Sequence, residues 1–292
     1  MNNTSRQSMD RVYISGYWTV GTNVKKAKSV YLFGIERTFQ LLKNSNLIFF
    51  TDDDEILEVV TGLSKKWNIK LKIIKKNIHD LPAQQYIDSV ICAAERMYSS
   101  PIPIDYKKSM EKGVIHYYRD LKHAGRENYQ KLLLIWLSKI FLVNEIIRSD
   151  IILNEEYKLY CWIDCSAERF SFVRSNWNFT KQSLPMNKLS HYTSGSLSYM
   201  GVSIPISASF LAGNPIVWQE IEELFIQELK DINNDNYAHD EETLLTNIIL
   251  NKPELFHTIG DVHEVKINKL LSNLVSSTMK KVVYYRSKIK HM

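Results

Sequence analysis

The chain has 292 residues, 45% of them hydrophobic and 24% charged, and its 37 basic and 32 acidic side chains give a formal net charge of +5. This composition excludes a disordered or fibrous chain, and the length suits one large α/β domain that buries enough surface to fold without covalent staples. The basic excess is too slight to indicate a nucleic-acid partner and is compatible with an anionic ligand such as a nucleotide.

Residues 1–10 read as a flexible tail, and 11–292 as a single domain. RVYISGYW (11–18) is rich in β-branched and aromatic residues and predicts a first strand. The loop TVGTNVKKAKS follows, and SVYLFGIERTFQLLKN then places apolar residues at helical spacing. NLIFFTDDD reads as a second strand whose acids Asp52, Asp53 and Asp54 open a helix, where carboxylates suit the positive N-terminal end. IKLKIIKKN predicts a third strand. Strand, helix, strand, helix, strand implies a parallel sheet with crossover helices.

Residues 82–127 are less regular, apart from a helix over QQYIDSVICAAERMY. NYQKLLLIWLSKIFLVNEIIRSD (128–150) is apolar nearly all round and predicts a buried helix. YKLYCWIDCS predicts another strand, whereas 171–198 show no clear period. SIPISASFLAGNP reads as a strand and a turn, VWQEIEELFIQELKDI as an amphipathic helix, and HDEETLLTNIILNKPELF as an acid-started helix ending before Pro253.

Cys92, Cys161 and Cys165 form no CxxC pair, which argues against a disulfide framework or a zinc site and favours a reducing compartment. The polar start has no apolar signal core, and the longest apolar run (132–137) is far shorter than the roughly 20 residues of a spanning helix. A cytoplasmic protein is expected.

Asp164 is the residue that most invites a functional reading. Alternation puts Cys161, Ile163 and Cys165 on one strand face and Trp162, Asp164 and Ser166 on the other. Ligands of open α/β sheets bind beyond the carboxyl ends of the strands, so an acid there suits a metal-bound diphosphate or a sugar hydroxyl; a turn cap is the alternative. Lys139 interrupts LLLIWLSKIFLV, where a buried ammonium needs a partner. It either pairs with an acid, Asp164 foremost, or reaches phosphates, or snorkels at the helix rim.

Four stretches, LIFFTDDD, WLSKIFLVNEI, YCWIDCS and the pair SFLAGNP and HDEETLL, resemble the bacterial HtrL/YibB-type family, which includes WlaTC-like proteins of surface-polysaccharide loci. The order of elements resembles a GT-A glycosyltransferase. The resemblance implies a GT-A-like mixed, mostly parallel sheet flanked by helices. It further implies transfer of a sugar from a nucleotide-sugar donor to a surface glycan such as lipopolysaccharide, lipooligosaccharide or capsule. The family strand reads WIDxG; here Ser166 follows Cys165, leaving one carboxylate where a full DxD has two.

On that resemblance, Tyr17, Thr19, Thr22, Arg37, Thr51, Asp52, Lys139, Asp164, Ser166 and Gly213 are expected around donor and acceptor. A divalent metal, Mn²⁺ or Mg²⁺, would be held by Asp164 and a histidine, His257 or His263. Asp240 or Glu241 would take the acceptor proton in an inverting reaction, although acids in a first helical turn also suit the helix dipole alone. The basic, aromatic C-terminus is a candidate contact with the inner face of the cytoplasmic membrane, where a glycan or lipid-linked glycan acceptor would wait. A non-catalytic nucleotide- or sugar-binding module is the alternative.

Overall fold

Arg11–Gly16 forms strand β1, and its alternation sorts the core: Val12 and Ile14 pack into one hydrophobic cluster, Tyr13 into another on the opposite sheet face. The computed structural model describes residues 10–21, 27–98, 105–149, 157–167, 183–193, 195, 197–232 and 239–262. Helix α1 (Lys28–Leu41) leads to β2 (Asn46–Thr51), α2 (Asp54–Lys66) and β3 (Lys70–Lys75). Asp53 caps α2 by accepting from the Ile56 amide at 3.2 Å, with acids in the first turn and Lys65 and Lys66 in the last, which matches the helix dipole at both ends.

Helix α3 (Ile87–Tyr98) follows, then a short helix α4 (Lys112–Ile115) that widens into a π-helix over His116–His123, and then the long α5 (Arg126–Arg148). Strands β4 (Leu159–Ile163) and β5 (Leu189–Thr193), a small hairpin of β6 (Ser198–Tyr199) and β7 (Val202–Ser203), and β8 (Ser207–Gly213) come next. Helices α6 (Pro215–Asp231) and α7 (Glu241–Asn251) and strand β9 (Phe256–Asp261) complete the described chain.

The main sheet has seven strands in the order β3-β2-β1-β4-β8-β5-β9. All neighbours are parallel except β8, which runs antiparallel to both β4 and β5. The mixed, mostly parallel α/β sheet expected from the sequence is therefore present. Six strands end at one edge, and there β8 contributes its beginning. Helix α5 packs under the sheet and is tied to α6 by the Asn144 amide, which donates to the Trp218 carbonyl at 2.9 Å; the Trp218 indole in turn donates to the Tyr160 carbonyl at 2.9 Å.

The sequence reading lacked β5, β9 and the α4–π segment. The sequences of β5 (LSHYT) and β9 (FHTIGD) mix polar and apolar residues without a long apolar run, and α4 is only one turn. The tail at 1–9, Thr22, His263 and the basic C-terminus lie outside the described residues. Among the described residues no helix is long and apolar enough to cross a membrane.

His191 of β5 is 2% exposed. Burial pushes its imidazole pKa down from 6.5 to about 4, with the Tyr192 carbonyl opposing and His257 adding to the shift. The unfolded chain takes up this proton near pH 6.5 and the folded chain only near pH 4. Neutral His191 is thus fully tolerated above pH 6.5, and stability falls across that window by roughly 3 kcal/mol. His191→Gln should flatten the stability loss between pH 6.5 and pH 4, measured by urea denaturation; an unchanged slope would assign the acid sensitivity elsewhere.

Candidate active site

Beyond the carboxyl ends of β1 and β4 lies a crevice of about 340 Å³, walled by Tyr17, Trp18 and Tyr31 on one side and by His116 and Trp136 on the other. Asp164, Lys139, Lys112 and the acids of α7 line it. This is the edge at which open α/β sheets take ligands.

Asp164 follows β4 directly, and its amide donates to the Ser209 carbonyl at 2.9 Å. Its side chain is 21% exposed. The carboxylate oxygen Oδ1 accepts from Lys139 Nζ at 2.8 Å and from the Trp162 indole at 3.0 Å. Lys139, rising from α5, also meets Glu241 Oε1 at 2.6 Å and donates to the Ala208 carbonyl at 3.4 Å. Of the alternatives for this lysine, pairing with Asp164 is the one realised. Burial works against its charge, but Asp164 and Glu241 outweigh it and hold the ammonium protonated well above its usual range.

A second buried ammonium lies beside the first. Lys112 Nζ reaches Asp240 Oδ2 at 2.5 Å and also pairs with Glu242. Asp240 is the N-cap of α7: its Oδ1 accepts from the Thr243 amide at 3.0 Å, and the Thr243 hydroxyl answers the Asp240 amide in a capping box. Burial opposes ionisation of Asp240, yet Lys112, His239 and the Thr243 amide together bring it down to about 2. Glu241 goes the other way. Burial raises it and Asp240 and Glu242 push it further, against the pull of Lys139 and Lys112, to about 7. Burial is the largest cause, and the carboxylates of Asp240 and Glu242 add to it.

His116 and His239 flank Asp240. His116 stacks on Trp136 at 4.9 Å between centroids, meets His239 edge-on at 5.1 Å, and brings Nδ1 to 3.9 Å from Asp240 Oδ2.

At the far end of the crevice, Tyr17 packs edge-on against Tyr31 at 5.6 Å. Thr19 donates to Asp53 Oδ2 at 2.5 Å, and Lys28 reaches the same oxygen at 2.9 Å. Burial opposes the charge on Asp53, and these two bonds outweigh it to hold the carboxyl below its usual range.

The crevice thus gathers Tyr17, Thr19, Lys139, Asp164, Ser166, Asp240 and Glu241 from the expected set. Of the rest, Thr22 and His263 lie outside the described residues and five stand apart from the crevice. Arg37 points along α1, its guanidinium over Phe33 at 5.5 Å and bonded to Gln40. Thr51 is buried and its hydroxyl accepts from the Asp53 amide. Asp52 accepts from the Ile78 amide at 3.0 Å, fixing the loop after β3.

Gly213 and His257 lie at the opposite sheet edge, Gly213 because β8 runs in reverse and ends there, His257 because it is the second residue of β9. Gly213 pairs with Tyr160 at the start of β4, and a Cβ there would sit 3.3 Å from Val217. Since β8 is antiparallel, Ser209 near its start lines the crevice instead. His257 pairs with Ser190 near the start of β5. Lys28, Lys112, His116, Trp136 and His239 were missed by the sequence reading; for Lys112 and His116 no local spacing signals the role.

A family model described as a bacterial protein of unknown function (HtrL_YibB) matches residues 12–265. No curated protein matches the chain in sequence. Among solved structures, the chain is similar to the glycosyltransferase GlyE in Streptococcus pneumoniae, at 9% identity and a TM-score of 0.42, over 86% of this chain and 45% of that chain. It is also similar to core-mannan synthase A from Aspergillus fumigatus in its Mn/GDP form, at 13% identity and a TM-score of 0.39, over 86% of this chain and 72% of that chain. The chain thus spans less than half the length of the GlyE structure.

Removing the shared ammonium tests how the cluster is balanced. Lys139→Met should destabilise the fold by about 3–5 kcal/mol in urea denaturation, because it leaves Asp164 and Glu241 buried without their cation. A cost below about 1 kcal/mol would mean that the two acids are solvated rather than paired.

Proposed function

The chain belongs to the HtrL_YibB family, and we propose that it is a GT-A-like glycosyltransferase. It transfers a sugar from a nucleotide-sugar donor to a bacterial surface glycan, free or lipid-linked, of the lipopolysaccharide, lipooligosaccharide or capsule type. The observation that carries this reading is the placement of Asp164, Lys139 and Glu241 in one hydrogen-bonded group at the floor of an aromatic-walled crevice beyond β1 and β4.

Two halves of the crevice suit two substrates. Tyr17, Tyr31, Thr19 and Lys28 offer ring faces, a hydroxyl and a cation at the β1 end, which fits a nucleotide's base, ribose and phosphate. The Trp136 and His116 wall offers flat apolar surface beside carboxylates, the combination that holds sugar rings by one face and their hydroxyls by the other. Asp240 is already engaged at both oxygens, by Thr243 and Lys112. Glu241 is therefore assigned as the base that takes the acceptor hydroxyl's proton, with Lys139 orienting it.

Breaking a glycosidic bond to a diphosphate builds negative charge on the leaving group, which needs cationic stabilisation. Among the described residues the floor carries four carboxyl groups and two ammoniums, an arrangement that disfavours a bare diphosphate. A divalent cation such as Mn²⁺ suits this acidic lining, with Asp240 as the carboxylate that would hold it, and it would neutralise the leaving diphosphate.

Incubation with UDP-, GDP- and CMP-sugars, with and without Mn²⁺, should release free nucleotide slowly, and Asp164→Ala should lower that rate by about 10²-fold or more. Thermal stabilisation by a nucleotide with no release from any donor would instead make the protein a binding module.

A further inference from the structure

We propose that His116, His239 and Asp240 form a transition-metal site that prefers Mn²⁺, Fe²⁺ or Zn²⁺ over Mg²⁺. This deepens the proposed transfer reaction by naming the ligands of its cation. It separates that cation from Asp164, whose Oδ1 is committed to Lys139 and Trp162.

The geometry converges. One ligand atom from each of the three residues lies within 4.8 Å of the others, and all three residues are buried. Metal–ligand bonds of about 2.0–2.2 Å set ligand atoms roughly 3–3.5 Å apart. The His116 Nδ1 to Asp240 Oδ2 separation of 3.9 Å is therefore closed by small side-chain rotations.

The support around the ligands is rigid. The His239 and Asp240 amides both donate to the Thr243 hydroxyl, at 3.1 and 3.3 Å, and the Thr243 amide returns a bond to Asp240 Oδ1. His116 is clamped by the Trp136 stack and emerges where α4 widens into the π-helix. Outer partners of this kind orient metal ligands.

The donor chemistry selects the ion. Two imidazoles and one carboxylate are the set used by Fe²⁺, Mn²⁺ and Zn²⁺ sites with open positions, whereas Mg²⁺ demands oxygen ligands. The open positions would face the ligand space, because His116 and Asp240 both line the crevice. Lys112 now shares the Asp240 carboxylate. It keeps Glu242 as partner when a stronger cation arrives, so the exchange strands no buried charge.

The test is metal binding by the full chain, read without turnover. After chelator treatment and dialysis, titration calorimetry and elemental analysis should find one Mn²⁺ or Zn²⁺ per chain, bound about 10²-fold or more tightly than Mg²⁺. His116→Gln and His239→Gln, checked for folding by circular dichroism, should each weaken binding about 10–100-fold. Co²⁺ loaded into the unaltered chain should give the intense visible absorption of a nitrogen-ligated, low-coordinate ion, which covers the case in which a variant does not fold.

Unchanged affinity in both folded variants, equal affinity for Mg²⁺, or the weak spectrum of an all-oxygen six-coordinate Co²⁺ would each overturn the site. Nucleotide-sugar turnover by a chain that binds no metal would overturn the site and leave the transferase reading standing. Tight metal binding with no turnover of any donor would do the reverse.

Discussion

The structure turns on one buried ammonium. Lys139 lies in the middle of a helix that is otherwise core, and a charge there is tolerated only if acids come to it. Two do: Asp164 from the end of β4 and Glu241 from the first turn of α7. The pairing fixes where the sheet edge and α7 sit relative to α5, and it sets the floor of the crevice. Lys112 repeats the arrangement one step away, drawing Asp240 and Glu242 to α4. Lys139 joins α5 to α7 and Lys112 joins α4 to α7, so the site and the tertiary contacts of α4, α5 and α7 are the same interactions.

Strand direction explains which loops reach this floor. With β8 reversed between β4 and β5, the usable edge combines the ends of β1 and β4 with the beginning of β8. The Ala208 amide donates to Glu242 and its carbonyl accepts from Lys139, so the backbone of the reversed strand anchors both α7 and α5. A parallel strand at this place would have brought Gly213 and Asn214 instead. Asn214 is used at the other edge, capping α6 through the Val217 amide at 2.9 Å, with Pro215 in the first helical turn.

Much of this was legible in the sequence for identifiable reasons. The face alternation of β4 is local: Trp162 packs in one core cluster while Cys161, Ile163 and Cys165 pack in the other, as period-two reasoning requires. The need for a partner at Lys139 was legible because a cation inside an apolar helix has few alternatives. What was not legible is set by nonlocal geometry. The direction of β8 is not written in SASFLAG, so Gly213 was expected at the wrong edge. Lys112 and His116 sit in a polar, aromatic stretch whose period a π-helix breaks. His239 precedes three acids that the helix dipole accounts for, and only the fold brings it against His116. Arg37, Thr51 and Asp52 were placed near the ligand by their nearness to strand ends, yet each is satisfied within its own neighbourhood.

The imbalance of the floor is the last constraint. Four carboxyl groups and two ammoniums, most of them buried, are a costly way to hold a fold together, since well-packed apolar residues generally serve stability as well or better. The surrounding walls show the alternative at hand: Trp18 and Trp162 fill adjacent space with apolar surface. Burial, with Asp240 and Glu242 adding to it, raises the Glu241 carboxyl to about 7 even with Lys139 beside it. Among the described residues, carboxyl groups outnumber ammoniums at the floor, so a ligand that brings positive charge into the crevice would suit it. Ligand binding and folding would then be linked through the same residues, because a ligand that binds only the folded chain stabilises it.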